Sequence, residues 1–300
     1  VWLDALTNYI TKIGYDVDGN SSDLFKKNWP ADLHLIGKDI IRFHTLYWPI
    51  FLMALGEPLP KQIFGHPWLL FGSDKMSKSK GNVIYADDLI RRFGLDGVRY
   101  YLLSEMPYQN DGTITYENFI ARYNTDLANT LGNLVSRTVA MTKKYFDGVI
   151  PSPAGDEGPD AELKAAAADA YANFTANMDT FHAADALDAV FTLLRRANKY
   201  IDETAPWALA KDEAQRARLG TVLYNLLESL RITAILLRSA MPDSAEKILA
   251  AIGSPDDRFE SAAAIGITRP GSAVGEQSVL FARLDEAKTL AELNAEKAEA

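Results

Sequence analysis

Between Gly72 and Asn82 the chain crowds three lysines (Lys75, Lys78, Lys80) and three serines (Ser73, Ser77, Ser79), directly after the apolar run Trp68 to Phe71. Ammonium and hydroxyl groups at that density are donors for phosphate oxygens, and flanking glycines let such a loop move. The first phosphate motif to weigh is the P-loop. Gly72, four residues and then Ser77-Lys78-Ser79 come within one residue of it, with serine where the second glycine belongs. That glycine lets the backbone approach the phosphates, and a P-loop runs straight into a helix whose N-terminus faces the anion. Here Gly81-Asn82 break the chain and the helical pattern resumes only at Ala86, which excludes a P-loop. What remains is a cationic clamp. Lys75 and Lys78 can stabilise charge that develops on a triphosphate as pyrophosphate leaves, without any proton transfer.

The elements that must position this loop are mixed on its amino-terminal side. Leu33-His34-Leu35-Ile36 reads as a buried strand ending at Gly37, and Asp39 to Leu55 follows helical spacing apart from an interruption at Pro49. A strand, a glycine turn and a helix make half of a βαβ unit. Ligands of open α/β sheets sit at the carboxyl ends of strands, which places Gly37, Lys38 and Asp39 at a site. Ile63-Phe64 and Trp68 to Phe71 read as short strands, Ala86 to Phe93 and Leu95 to Ser104 as two helices parted by Gly94, and Pro107 to Thr115 as a polar turn.

From Tyr116 the texture becomes helical. Patterns run over 116–146, 159–181, 183–203 and 214–239, with a shorter one over 244–252. The fourth carries Leu223, Leu226, Leu227, Leu230, Ala234 and Leu237 at spacings of three and four, one apolar stripe. Asn129, Asn133 and Arg137 recur every four residues and so share a helix face. The expected fold class is α/β plus all-α, the second part an antiparallel helical bundle. The tail after Gly253 is rich in Gly, Ala and Ser; Val279-Leu280-Phe281 is expected to add a strand or pack back, and Asp285 to Ala300 to be helical.

Three hundred residues, 48% of them hydrophobic, can bury roughly two cores. No cysteine is present, so neither a disulfide framework nor a thiolate zinc site can form, and His34, His66 and His182 are too scattered for a metal site. No apolar run reaches the roughly 18 to 20 residues that span a bilayer. A net charge of −9 argues against coating nucleic acid by bulk attraction, so any RNA contact must be local. The opening Val1-Trp2-Leu3-Asp4-Ala5-Leu6 lacks a methionine and is already apolar, the pattern of a fragment that begins inside a domain.

The order Lys75-Met76-Ser77-Lys78-Ser79 matches the signature loop of class I aminoacyl-tRNA synthetases, and the wider set of motifs resembles the methionyl-tRNA synthetases. The resemblance runs almost continuously from residue 1 to about 250. It implies that residues 1–72 are the second half of a Rossmann-like catalytic domain, 73–115 the Lys-Met-Ser-Lys-Ser loop with a connective helical segment, 116–252 a helical anticodon-binding domain and 253–300 a tail. It further implies that Trp2, Ala5, Leu6 and Tyr9, with Ile40, Phe43 and His44, enclose methionine, a thioether that gains from aromatic contact. Gly37 and Asp39 would hold the ribose of ATP, with Lys75, Met76, Ser77, Lys78 and Ser79 around its phosphates. Asn129, Asn133 and Arg137, together with Pro206-Trp207 in the segment Asp202 to Trp207, would face the anticodon, where tryptophan is a stacking platform for an unpaired base.

The implied partners are methionine tRNA, L-methionine and ATP with Mg2+, in the cytoplasm and with no membrane; no metal ligand can be named in this chain. The first nucleotide-binding half of such enzymes, with its His-x-Gly-His loop, is absent from the sequence, as is the insertion that often carries zinc-binding cysteines. An isolated anticodon-binding module without catalysis, or another class I synthetase, is therefore the rival reading. The Trp2, Tyr9 and His44 set and the Pro206-Trp207 pair favour methionine over the other class I amino acids.

Overall fold

A computed structural model of the chain describes residues 2–72, 74, 75, 83–105, 110–254, 256–276 and 278–299. The chain divides into two compact units, Val1–Leu69 with Tyr108–Gly112, and Leu70–Pro107 with Thr113–Ala300.

The first unit contains helices α1 (Leu3–Thr11), α2 (Asp23–Asn28) and α3 (Trp48–Leu55) and strands β1 (His34–Gly37) and β2 (Ile63–His66). β1 and β2 run parallel, with His34 opposite Ile63 and Gly37 opposite His66. Only one face of β1 is buried: His34 and Ile36 point inward while Leu35 is 61% exposed, so the expected fully buried strand is half-buried. Leu6, Ile10, Phe25, Trp29, Trp48 and Leu52 form the core. The helix expected over Asp39 to Leu55 begins as a 3-10 turn at Lys38–Ile40 and passes through a π turn at Phe43–Tyr47 before α3. Pro49 does not interrupt it. Pro49 falls in the first turn of α3, just beyond the wide π turn, where the absent N–H is tolerated.

Strand β3 (Leu69–Phe71) pairs antiparallel with β4 (Asp74–Lys75), Leu70 opposite Lys75, and β5 (Gly112–Ile114) lies on its other side. The polar turn expected from Pro107 to Thr115 thus ends in a strand, one that sequence alone conceals because it is three residues long and starts on glycine.

In the second unit α4 (Ala86–Phe93) and α5 (Leu95–Ser104) fall where the periodicity predicts. The long pattern from Tyr116 is one continuous helical run made of three pieces: α6 (Tyr116–Arg122), a π segment (Tyr123–Gly132) and α7 (Asn133–Phe146). It is followed by α8 (Asp160–Asp179), α9 (Ala183–Thr204), the short α10 (Pro206–Leu209), α11 (Arg216–Leu237), α12 (Pro242–Ala251) and α13 (Glu286–Glu299). Phe281 packs back edge-on against Tyr123.

Helix α11 departs most from its sequence pattern. The apolar stripe marks one face, yet every residue from Leu219 to Leu237 is buried. By length and composition, Glu213–Leu237 is the one span among the described residues that could cross a membrane, and its apolar stretch from Leu219 onward is buried inside the protein. Its polar face holds Glu228 and Arg231, both fully buried and paired at 2.9 Å. Glu228 also accepts from the amides of Gly266, Ile267 and Thr268, and Arg231 donates to the carbonyls of Ser261 and Ala264. The tail segment around residues 259–268 therefore covers that face by satisfying its charges. Burial alone would raise the Glu228 pKa; the Arg231 guanidinium and the surrounding hydrogen bonds outweigh it and hold the carboxyl below its usual value.

Removing one partner of a buried, hydrogen-bonded ion pair strands the other, so Glu228→Ala should destabilise the second unit by about 3 to 5 kcal/mol. Urea unfolding measures this, and hydrogen exchange at Gly266 to Thr268 should accelerate in parallel. Since the folded pKa is depressed, the wild-type pair contributes stability above the unfolded carboxylate pKa and loses it as pH falls through the folded value. A loss under about 1 kcal/mol, with the tail amides still protected, would contradict this role.

Candidate functional site

In the first unit the side chains converge on Tyr9 and His44. His44 lies in the π turn and is 1% exposed, and its Nδ1 is 3.0 Å from the Ile40 carbonyl oxygen. A carbonyl only accepts, so Nδ1 carries the proton and Nε2 is left as an acceptor. The Tyr9 hydroxyl, 2.9 Å from Nε2, must then donate to it. A π turn is a frequent marker of functional positions in helices, and here it turns His44 inward beneath Tyr9.

His34, which its scatter from other histidines made look like plain core, belongs to the same cluster. Its ring lies 4.5 Å from that of Tyr9 and 6.0 Å from that of His44, and its Nε2 accepts from the indole N–H of Trp48 at 3.2 Å. Trp48 donates only, so the proton of His34 sits on Nδ1. Burial first, and then the nearby His44, lower the His34 pKa and keep the ring neutral. The signal in the sequence is its position two residues before Ile36 on the inward face of a strand.

The expected methionine-enclosing residues divide. Leu6 is in the core, Phe43 packs against that core, and Tyr9, His44 and the Ile40 carbonyl form one hydrogen-bonded chain. Ala5 is exposed on α1. Trp2 is 79% exposed and, with Leu3, Asp4, Thr7, Phe51 and Leu55, lines a groove of about 740 Å³.

At the carboxyl end of β1, a Cβ on Gly37 would lie 2.5 Å from Asp39 Oδ1, so this glycine makes room for the Asp39 carboxylate to fold back on the strand end. Across the pair, a Cβ on Gly65 would meet Ile41 at 2.9 Å, which lets the turn lie directly on β2. Residues 76–79 of the lysine loop, Lys78 included, are outside the described residues, and Lys75 is described only as part of β4. Among the described residues no cluster of three or more His, Cys, Asp or Glu stands ready to hold a metal ion.

In the second unit Asn129 is exposed within the π segment, Asn133 is exposed at the start of α7, and Arg137 follows one turn on. Asn198 of α9 donates to the Thr130 carbonyl at 3.1 Å, which brings α9 against this face. Arg137 Nη2 is 3.9 Å from Asp202 Oδ1, a long, solvated contact worth little in stability, and among the described residues it is the one ion pair this guanidinium makes. Ala205 then turns the corner with φ of 44°, a left-handed conformation unusual for a residue with a Cβ. It sets Pro206 as the buried first residue of α10 and leaves the Trp207 ring 45% exposed.

A family model described as tRNA synthetases class I (M) matches residues 1–139, and one described as the anticodon binding domain of methionyl tRNA ligase matches residues 150–296. The methionine–tRNA ligase of Clostridium acetobutylicum is 54% identical over 299 residues, and that of Clostridium perfringens 52% over 297. The chain spans 46% of the length of each. The structure of Mycobacterium tuberculosis methionyl-tRNA synthetase in complex with methionyl-adenylate superposes with a TM-score of 0.87 at 44% identity, covering 94% of this chain and 55% of that one. Its apo form gives 0.84 at 42% identity, covering 95% and 56%.

The neutral His34 has a testable consequence. Because its folded pKa is depressed below the ordinary histidine value of about 6.5, the unfolded chain takes up the proton first on acidification. The first unit should therefore lose stability as pH drops below about 6.5 and on through the folded pKa, by at most about 1.4 kcal/mol per pH unit from this group. Unfolding followed by tryptophan fluorescence at stepped pH reads this slope, and His34→Gln should flatten it. An unchanged slope in a folded His34→Gln protein would contradict a buried neutral imidazole.

Proposed function

We propose, from the premise that the chain belongs to the methionyl-tRNA synthetase family, that it supplies methionine enclosure and anticodon reading to a cytoplasmic methionine–tRNA ligase. In that reaction a carboxylate oxygen of L-methionine attacks the α-phosphorus of ATP and pyrophosphate leaves. A tRNA hydroxyl then takes the methionyl group from the adenylate and AMP is released. Residues 1–72 act as the second half of a Rossmann-like catalytic domain, 73–115 carry the Lys-Met-Ser-Lys-Ser loop and its connection, 116–252 form an antiparallel helical anticodon-binding bundle, and 253–300 are the tail. Supporting the amino-acid assignment above all is the hydrogen-bonded chain from Tyr9 through His44 to Ile40, a fixed polar base among aromatic rings. A flexible, polarizable thioether suits such walls.

Trp2, Ala5, Leu6, Tyr9, Ile40, Phe43 and His44 enclose methionine in this reading. Gly37 and Asp39 hold the ribose, and Met76, Ser77 and Ser79 belong to the ATP site. Lys75 and Lys78 offset the charge on the departing pyrophosphate. Mg2+ would enter with ATP as the counter-ion of its phosphates. Asn129, Asn133, Arg137, Pro206 and Trp207 read the anticodon; the exposed indole supports a stacking role and the Arg137 guanidinium a hydrogen-bonding one.

The test uses the intact protein. Tyr9→Ala and His44→Ala should weaken methionine binding by about 1 to 3 kcal/mol, with ATP binding little changed, in separate titrations of the two ligands. Trp207→Ala should weaken binding of methionine tRNA by about 1 to 3 kcal/mol at fixed salt and leave methionine-dependent ATP–pyrophosphate exchange intact. Equal loss of methionine and ATP affinity would remove the pocket assignment. Exchange dependent on a different amino acid would make the protein another class I synthetase, and tRNA binding with no exchange at all would leave only an anticodon-binding module.

A further inference from the structure

We infer that Asp111 is a positioning residue for nucleotide binding, because its carboxylate ties together the carboxyl ends of the two parallel strands where the Gly37–Lys38–Asp39 turn is held. The inference rests on the reading of Gly37 and Asp39 as ribose contacts. Nothing in the sequence motifs marks Asp111, which lies more than seventy residues beyond that turn and yet in the same compact unit.

Its Oδ1 accepts from Lys38 Nζ at 2.5 Å and from the Trp68 backbone N–H at 2.9 Å. Lys38 follows β1 directly, and Trp68 lies two residues beyond the end of β2. One oxygen atom thus joins the chain leaving β1 to the chain leaving β2. The Lys38 ammonium also sits 4.6 Å from the centre of the Trp68 ring, so charge, hydrogen bond and aromatic face fix the same side chain. Together, the Lys38 hydrogen bond and the Trp68 amide hold the Asp111 carboxyl below the usual carboxylate range.

Stability alone accounts poorly for this arrangement. The side chains of Lys38 and Asp111 are 40% and 25% exposed, and ion pairs in contact with water add little to folding. Their geometric effect is larger. Gly65 seats the turn on β2, the missing Cβ of Gly37 makes room for the Asp39 carboxylate, and Lys38, between the two, is the anchored residue. In a parallel sheet the ligand lies outside these strand ends, so a displacement of the turn by a fraction of an ångström is felt by the nucleotide before it is felt by the core.

The experiment is methionine-dependent ATP–pyrophosphate exchange by the intact protein with ATP titrated, alongside methionine binding in the absence of ATP and thermal unfolding. Asp111→Ala should raise the KM for ATP by about tenfold to a hundredfold, the scale of a misplaced binding group. Methionine affinity and the unfolding midpoint should stay at the parent's values. Asp111→Glu, which keeps the charge, should recover part of the loss. Lys38→Met should show the same ATP-selective defect, and the Lys38→Met/Asp111→Ala double variant should be no worse than the more impaired single one, since the two act as one unit. An unchanged KM for ATP in Asp111→Ala, equal loss of ATP and methionine binding, or additive single defects would overturn the positioning role while leaving the functional reading in place. Absence of exchange in the parent protein would instead overturn that reading, and this inference with it.

Discussion

A charged pair in the middle of a helix that is covered on every side cannot be left short of partners, and this requirement shapes the second unit. Glu228 and Arg231 sit one turn apart on α11, off its leucine stripe and inside its fully buried stretch. Desolvating both costs several kcal/mol per ion in a protein interior, and their mutual attraction offsets this only if the remaining donors and acceptors are also matched. The match comes from the backbone of the tail, three amides to the carboxylate and two carbonyls to the guanidinium. A segment whose composition promises little structure is thereby held in one place. With α11 held from that side, α7, α8, α9 and α12 pack around it.

The first unit solves a related problem with imidazole rings. His34 and His44 are both buried, and each is assigned a tautomer by what its other nitrogen touches: the Trp48 indole in one case, the Ile40 carbonyl in the other. The Tyr9 hydroxyl meets His44 Nε2 at 2.9 Å. A ring locked at both nitrogens can serve as a pocket wall because it has no orientation left to choose. The same economy operates at the strand ends, where one Asp111 oxygen serves two donors.

Much of this was legible before any coordinates. The periodicity of α4, α5, α8, α9 and α11 placed those helices within a few residues, and the strand–glycine–helix pattern located the β1 turn. What escaped was whatever depends on contacts distant in sequence. Leucine spacing in α11 reported one buried face and could not report that a tail some thirty residues away buries the other. The sequence pattern does not join His34 to a site, because its partners, Tyr9 and Trp48, come from helices on either side of it in the chain. Local propensity also cannot reveal a π turn, since the same residues suit an α-helix until packing demands an extra residue in the turn; Phe43–Tyr47 and Tyr123–Gly132 were both read as ordinary helix. Pro49, conversely, was over-read as a breaker, because its cost depends on whether an N–H is needed at that point. Asp111 stands outside any motif, and its bonds to Lys38 and the Trp68 amide join residues far apart in the chain, so nothing in the sequence links it to the β1 turn.

The proposed function divides the labour, with methionine held by the first unit and the anticodon read by the second. Hydrogen exchange of the intact protein, recorded with saturating methionine alone and then with methionine tRNA alone, addresses it most directly. Methionine should slow exchange in α1 and from Gly37 through the π turn to Tyr47, and leave Asn129 to Arg137 and Pro206 to Leu209 unchanged. The tRNA should protect the latter two stretches. Protection of the Asn129 to Arg137 face by methionine, or tRNA protection that leaves that face and α10 exchanging as in the free protein, would contradict the account.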